Sequence, residues 1–188
     1  MRKEPYRSKR TKIVSTIELA LILLLLIFFN VTCGESYSVY STKYRVNFYY
    51  SLNLSPLSLS KNSGFFVSVY KSIDQLKMSS NTGVKSDFPL SETEKVNFRL
   101  GLGGLIIGTP QLDNFNSELW AYDLACPICE NAKYRLSVDN TGIATCGSCK
   151  TQYDLNNNGY VIYSEKEKYP PLFRYPVTIN GSMVIVAN

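Results

Sequence analysis

Two Cys-x-x-Cys pairs constrain this chain more than any other feature of its sequence. Cys126-Pro-Ile-Cys129 and Cys146-Gly-Ser-Cys149 stand sixteen residues apart, a separation typical of zinc sites with four cysteine ligands. Each pair predicts a tight turn, called a knuckle here, and Gly147 suits such a turn because glycine tolerates positive φ. A hairpin between the knuckles would bring four thiolates around one ion at about 2.3 Å, which satisfies tetrahedral zinc.

Disulfides are the alternative use of these four cysteines. Each pair could close on itself, or bonds could join the two pairs, if the chain occupies an oxidising compartment. A thioredoxin-like redox pair is disfavoured, because such motifs begin a helix that follows a strand, whereas strand-like segments flank both pairs here. The sequence favours one metal centre and leaves disulfides open.

The N-terminal segment has the features of an export signal. Residues 1–12 carry six basic side chains and one acidic side chain, and an unbroken apolar run of eleven residues follows from Leu19 to Phe29. That length fits the core of a signal peptide, about 7–15 residues, and falls short of the about 20 that a transmembrane helix needs. Cleavage before Cys33 would leave an N-terminal cysteine for lipidation, although Thr32 and Asn30 depart from the usual lipoprotein motif.

Both outcomes for this segment predict the same compartment. Without cleavage, residues 13–31 would form a marginal membrane anchor that contains Glu18. Residues 1–33 are therefore predicted to be a signal peptide or membrane anchor. The protein is expected in the cell envelope, attached to the membrane by its N-terminus, with its domain outside the cytoplasm.

The charge distribution narrows the expected partners. The net charge of +5 equals that of residues 1–12 alone, because the remainder holds 14 basic and 14 acidic residues. A neutral body lacks the basic face that nucleic-acid binding requires. We expect the membrane and an unidentified protein as partners, with no nucleic acid and no evident small-molecule substrate.

Short strands separated by turn residues predict a small all-β sandwich or barrel. Residues 44–50 and 65–70 are rich in strand-forming residues, residues 101–108 read as a glycine turn running into a buried strand, and Asn180-Gly181 predicts a hairpin turn. Residues 71–99 are compatible with a short helix or an extended loop. The predicted organisation is a linker over 34–43 and one domain over 44–188, with a metal-binding part over about 118–163.

Three further motifs surround the cysteines. Trp120-Ala-Tyr-Asp-Leu-Ala precedes the first knuckle, Tyr153-Asp-Leu follows the second, and Pro171-Leu-Phe-Arg-Tyr-Pro-Val177 comes near the end. In this order and around two such knuckles, the segment resembles a Rieske domain. The resemblance implies a Rieske-like β-fold in which the two knuckles are the ligand loops of a metal centre.

The ligand set departs from that family in one decisive respect. A Rieske cluster binds one iron through two cysteines and the other through two histidines, and this chain has no histidine. Cys149 stands at the second histidine position and Cys129 one residue beyond the first, while Asn131 and Ser148 replace the two cysteines that form a bracing disulfide in some members. A conventional Rieske centre is therefore excluded.

An all-cysteine site points to zinc first. Mononuclear iron and an all-cysteine [2Fe–2S] cluster are the alternatives, and such a cluster would have a potential near about −400 mV. No catalytic triad or paired carboxylates are evident, and Asp154 to Gly159, which matches a calcium-loop pattern, reads better as a β-turn between strands. The prediction is a non-enzymatic, membrane-attached structural or interaction module, with iron–sulfur electron transfer as the alternative.

Overall fold

Strands dominate the computed structural model, which describes residues 40–111, 118–167 and 170–188. In chain order the strands are β1 (Val46–Ser51), β2 (Phe66–Lys71), β3 (Gln75–Ser80), β4 (Lys85–Pro89), β5 (Arg99–Leu100), β6 (Leu105–Gly108), β7 (Trp120–Asp123), β8 (Leu136–Val138), β9 (Ile143–Cys146), β10 (Gln152–Asp154), β11 (Tyr160–Tyr163), β12 (Arg174–Tyr175), β13 (Val177–Asn180) and β14 (Met183–Ala187). A 3₁₀ helix over Leu57–Lys61 and the short helix α1 over Glu92–Asn97 are the helical elements of these ranges. The predicted all-β class is confirmed.

The strands form three antiparallel sheets. The terminal sheet has the order β13-β14-β1-β5, the central sheet β12-β7-β6-β2-β3-β4, and the knuckle sheet β11-β10-β9-β8. Consecutive strands are neighbours throughout the knuckle sheet, so this sheet is a simple meander over one stretch of chain. Its strands pair locally, whereas the terminal sheet joins β1 to β14 from the two ends of the domain.

The central sheet separates two hydrophobic cores. Leu105 and Ile107 of β6 belong to the core shared with the terminal sheet, and Ile106 belongs to the core shared with the knuckle sheet. Side chains alternate between the two faces of a strand, so β6 is buried on both sides, which explains its continuous apolar sequence. Full burial of an isoleucine stabilises the fold by about 1.5–3 kcal/mol.

The ambiguous segment 71–99 contains both strand and helix. The hairpin of β3 and β4 extends the edge of the central sheet, and α1 follows it. Ser91 caps α1, because its hydroxyl accepts a hydrogen bond from the Glu94 amide while the Glu94 carboxylate accepts one from the Ser91 amide. This reciprocal capping fixes where the short helix begins.

Two predicted turns are present. The hairpin is formed as predicted, but its connecting residues are Gly181 and Ser182, because Asn180 ends β13 and pairs with Met183; Gly181 has φ 59°. The asparagine-rich stretch after Asp154 connects β10 to β11, and the Asp154 carboxylate accepts a hydrogen bond from the Asn156 amide at 2.9 Å. The turn interpretation of this stretch is confirmed.

The predicted signal or anchor segment, including Cys33, lies outside the described residues. Within residues 40–111, 118–167 and 170–188, no helix combines the length and apolar character needed to span a bilayer. Of the predicted linker, residues 40–43 are described and contact the domain. The Ser41 amide donates to the Arg174 carbonyl at 2.7 Å, and the Asn188 side chain donates to the Ser41 carbonyl at 2.9 Å.

Candidate metal centre

The hairpin of β8 and β9 places the second knuckle beside the first. Leu136 is paired with Cys146 in the register of this hairpin. The Leu136 amide also donates to the Leu124 carbonyl at 2.8 Å, just before the first knuckle. The predicted hairpin between the knuckles is therefore present. The sixteen residues between the two cysteine pairs suffice for two short strands and a turn.

The four sulfur atoms converge on one point. The Sγ atoms of Cys126 and Cys149 are 3.6 Å apart, those of Cys129 and Cys146 are 3.8 Å apart, and all four lie within 4.8 Å of one another. Four thiolates at about 2.3 Å from a tetrahedral ion are separated by about 3.8 Å. All four are free cysteines, so the donor set and its spacing fit a single ion.

Both knuckles have the same type of backbone turn. The Glu130 amide donates to the Cys126 carbonyl at 2.9 Å, and the Lys150 amide donates to the Cys146 carbonyl at 3.0 Å. Glu130 and Lys150 both adopt positive φ, 44° and 61°. The prediction that Gly147 supplies the positive φ is wrong: the residue after the second cysteine of each knuckle does so, because that is where the chain reverses.

Each knuckle buries its first cysteine and partly exposes its second. Cys126 and Cys146 are fully buried in the core beneath the knuckle sheet, whereas Cys129 and Cys149 are half-buried. Cys126 follows a segment that packs on that core, and Cys146 ends another such segment. A bound ion would therefore lie at the margin of the core, close to the surface.

Two hydroxyl groups contact the sulfur atoms from the second knuckle's side. The Tyr153 hydroxyl lies 3.4 Å from Cys126 Sγ, and the Thr151 hydroxyl lies 3.3 Å from Cys149 Sγ and 3.1 Å from the Ser164 hydroxyl. Both Tyr153 and Thr151 are fully buried. Tyr153 belongs to a motif visible in the sequence, whereas Thr151 was missed and has no signal beyond its place two residues after the last cysteine.

The thiols differ in how readily they ionise. Burial raises the pKa of Cys126, and burial together with the Cys149 thiol raises the pKa of Cys129 to about 12. Burial also opposes ionisation of Cys149, but the hydroxyl and amide of Thr151 donate hydrogen bonds to its sulfur, and its pKa falls to about 6. A cation that binds all four as thiolates must release protons from Cys126 and Cys129, so its affinity rises with pH.

Comparison of the chain with protein-family models, curated proteins and solved structures gives no match. The donor atoms themselves are therefore the basis for inferring what the centre can bind. Four cysteine ligands complete a tetrahedral shell and leave no open position for substrate or water, which is the arrangement of structural metal sites.

A buried carboxylate organises the approach to the first knuckle. Asp123 accepts hydrogen bonds from the amides of Leu102, Gly103 and Ala125 at 2.6, 3.0 and 2.8 Å, and from the Tyr175 hydroxyl at 2.7 Å. Burial raises the pKa of this carboxyl, and the four hydrogen bonds oppose that rise. Asp123 thus joins the glycine turn, β12 and the start of the knuckle through one side chain.

The glycine turn before β6 leaves room for this carboxylate. Gly101 has φ 68°, and a Cβ at that position would collide with the Asp123 carboxylate. Glycine accepts both the left-handed backbone and the close approach. Asp123 belongs to the motif that precedes the first knuckle, but no sequence pattern predicts its structural role.

We expect Lys150→Gly to stabilise the metal-loaded protein by about 0.5–1 kcal/mol, because glycine relieves the left-handed backbone of the second knuckle. The gain is limited by the greater flexibility of glycine in the unfolded chain. Urea denaturation of both proteins measures the change. Lys133→Gly is the matched control: Lys133 is an exposed turn residue near the first knuckle without positive φ, so its replacement is expected to destabilise. Equal effects of the two changes would contradict the assignment of strain to Lys150.

Proposed function

We propose that this protein binds one zinc ion through Cys126, Cys129, Cys146 and Cys149, and that the ion holds the two knuckles together in a membrane-attached structural or interaction module. The convergence of all four sulfur atoms within 4.8 Å carries this proposal. The closed ligand shell supports a structural rather than a catalytic role.

The knuckle sheet needs such a crosslink. Its strands are three or four residues long, and its edge strand β11 exposes about half of the side chains of Tyr160, Ile162 and Tyr163. Apolar burial along this edge strand is therefore limited. Structural zinc contributes about 10–16 kcal/mol in small metal-binding domains, which is comparable to the whole stability of a typical domain, about 5–15 kcal/mol.

The spacing of the sulfur atoms favours one ion over two. A [2Fe–2S] cluster divides its four ligands between two irons, so the pairs of thiolates are separated further by the distance between the irons. Here all four sulfur atoms lie within 4.8 Å of one another, so no pair is set apart from the other in this way. Mononuclear iron would fit the same four sulfurs, and the half-buried Cys129 and Cys149 would give it a short route to an electron-transfer partner; this is the second candidate function.

The Rieske-like relationship is part of the proposal and has three supports. Trp120–Asp123 forms β7 directly before the first knuckle. Tyr153 lies in β10 and reaches Cys126. The proline-bearing segment 171–177 contains β12, which pairs with β7. The motifs that carry the resemblance are thus neighbours of one site.

Attachment to the membrane rests on the basic and apolar residues of segment 1–33. In this proposal that segment is a lipidated signal peptide ending at Cys33 or an uncleaved anchor. The domain faces the outside of the cytoplasm, and an unidentified protein is its partner. Neither nucleic acid nor a small-molecule substrate enters this function.

The full chain, purified in detergent without chelator, is expected to contain about one equivalent of zinc and to show no visible absorption, because zinc has a filled d shell. Elemental analysis and an absorption spectrum measure both properties. Cys33→Ser is the control, since it removes a cysteine outside the centre and should leave the zinc content unchanged. A coloured protein with reversible reduction would assign the site to iron, and a metal-free Cys33→Ser protein without titratable thiols would assign it to disulfides.

A further inference from the structure

Two exposed asparagines begin the triplet that N-glycosylating enzymes recognise, Asn-x-Ser or Asn-x-Thr with x other than proline. They are Asn180-Gly-Ser182 and Asn53-Leu-Ser55. A third triplet, Asn30-Val-Thr32, lies outside the described residues. Such triplets also arise by chance, so the surroundings of each asparagine decide whether it is a usable acceptor.

Asn180 lies at the open end of a hairpin. It is the last residue of β13, and Asn180, Gly181 and Ser182 are all exposed at the turn into β14. A Cβ built on Gly181 would meet no atom within 4 Å. The tip of this hairpin therefore projects into solvent with room for a bulky group.

The second triplet lies beside the first. Asn53 and Ser55 are exposed in the turn that follows β1. The Leu52 amide donates to the Ser182 carbonyl at 2.7 Å, which fixes the two turns next to each other at one end of the terminal sheet. The two acceptors thus form one patch.

The side-chain amides of these two asparagines are available for reaction. Neither Asn53 nor Asn180 uses its side chain in a hydrogen bond within the ranges that the structure describes. Other asparagines of the domain use theirs to hold the fold: Asn81 bonds the Phe66 amide, and Asn188 bonds the Val46 amide. Modification of Asn53 or Asn180 would therefore break no native contact.

The patch is also remote from the end at which the chain enters the domain. β1 begins at Val46, close to residues 40–44, and ends at Ser51, close to the two triplets. A strand of this length spans about 17–20 Å. Glycans at this end would leave residues 40–44 and the first knuckle, which Lys43 contacts through Glu130, uncovered.

We infer that Asn180, together with Asn53, is an N-glycosylation site. The co-reactant is an oligosaccharide linked to a lipid phosphate: the side-chain amide nitrogen attacks its anomeric carbon, a C–N bond forms, the C–O bond to the phosphate breaks, and the amide loses a proton to a base of the transferase. The inference rests on the proposed location outside the cytoplasm, because this transfer takes place on that side of a membrane.

Mass spectrometry of the full chain, isolated from the membranes of the cells that produce it, tests this inference. We expect peptides containing Asn180 and Asn53 to carry the mass of a glycan. Ser182→Ala should remove the glycan from Asn180 and leave that on Asn53, whereas Ser182→Thr preserves the triplet and should preserve both. Glycan mass is the readout, rather than conversion of Asn180 to aspartate, because an Asn-Gly pair also loses its amide spontaneously.

Protease treatment of cells that have been stripped of any outer membrane or wall, with the cytoplasmic membrane still sealed, separates the possible failures. A chain that is cleaved from outside and yet carries unmodified Asn180 and Asn53 would overturn the glycosylation site alone. A chain that is protected inside the cell would overturn the proposed location and this site with it. The zinc content is measured on the same preparation and does not depend on either result.

Discussion

Replacement of Cys146 by serine is expected to abolish zinc binding and to unfold the knuckle sheet. Cys146 is fully buried, ends β9, and its Sγ lies 3.8 Å from that of Cys129. With three thiolates left, the tetrahedral shell is incomplete, and most of the about 10–16 kcal/mol that structural zinc contributes is lost. Elemental analysis, thermal unfolding and the loss of strand signal by circular dichroism measure the effect.

Gly147→Ala is the matched control for this prediction. It changes the neighbouring residue of the same knuckle, where the backbone is not left-handed and a Cβ would meet no atom within 4 Å. Zinc content and melting temperature should stay close to those of the unchanged protein. If Cys146→Ser bound no zinc but kept the melting temperature of the zinc-loaded control, the zinc site would not be what holds the knuckle sheet together.

The local features of the centre could be predicted from the sequence. Two Cys-x-x-Cys pairs separated by a hairpin-length segment favour their own convergence, because the hairpin of β8 and β9, which places Cys146 near Cys126, lies within that short stretch. The all-β class likewise follows from local signals, since turn residues and alternating strands recur along the chain. Both predictions are confirmed.

Contacts between distant parts of the chain could not be predicted. The Asp123 carboxylate accepts hydrogen bonds from the Leu102 amide and the Tyr175 hydroxyl, which lie 21 and 52 residues away. Nothing in the local sequence distinguishes it from an exposed carboxylate at a strand end. The choice of residue at positive φ also depends on the folded loop. Lys150 adopts it although glycine stands three residues earlier, because the cysteines and their carbonyl hydrogen bonds fix the position of the reversal.

Asp123→Ala is expected to destabilise the domain by more than about 3 kcal/mol. The substitution leaves the buried amides of Gly103 and Ala125 and the half-buried amide of Leu102 without an acceptor, and each buried group without a partner costs about 1–3 kcal/mol. It also removes the acceptor of the Tyr175 hydroxyl and leaves a small cavity beside Gly101. Chemical denaturation of the metal-loaded protein measures the free energy of unfolding.

Two further variants identify the cause of that loss. Asp123→Asn keeps the size of the side chain but turns an amide NH₂ group toward backbone donors, so a clear destabilisation should persist if hydrogen bonding, rather than the cavity, is responsible. Asp87→Ala removes a partly exposed carboxylate that pairs with Lys77 at the edge of the central sheet, and little change is expected because exposed ion pairs contribute little.

Because Asp123 bonds the amide of Ala125, directly before the first knuckle, loss of the Asp123 carboxylate should also weaken zinc binding, whereas Asp87→Ala should leave zinc binding unchanged. An Asp123 variant with lowered stability but unaltered zinc affinity would show that the knuckle holds its shape without this carboxylate.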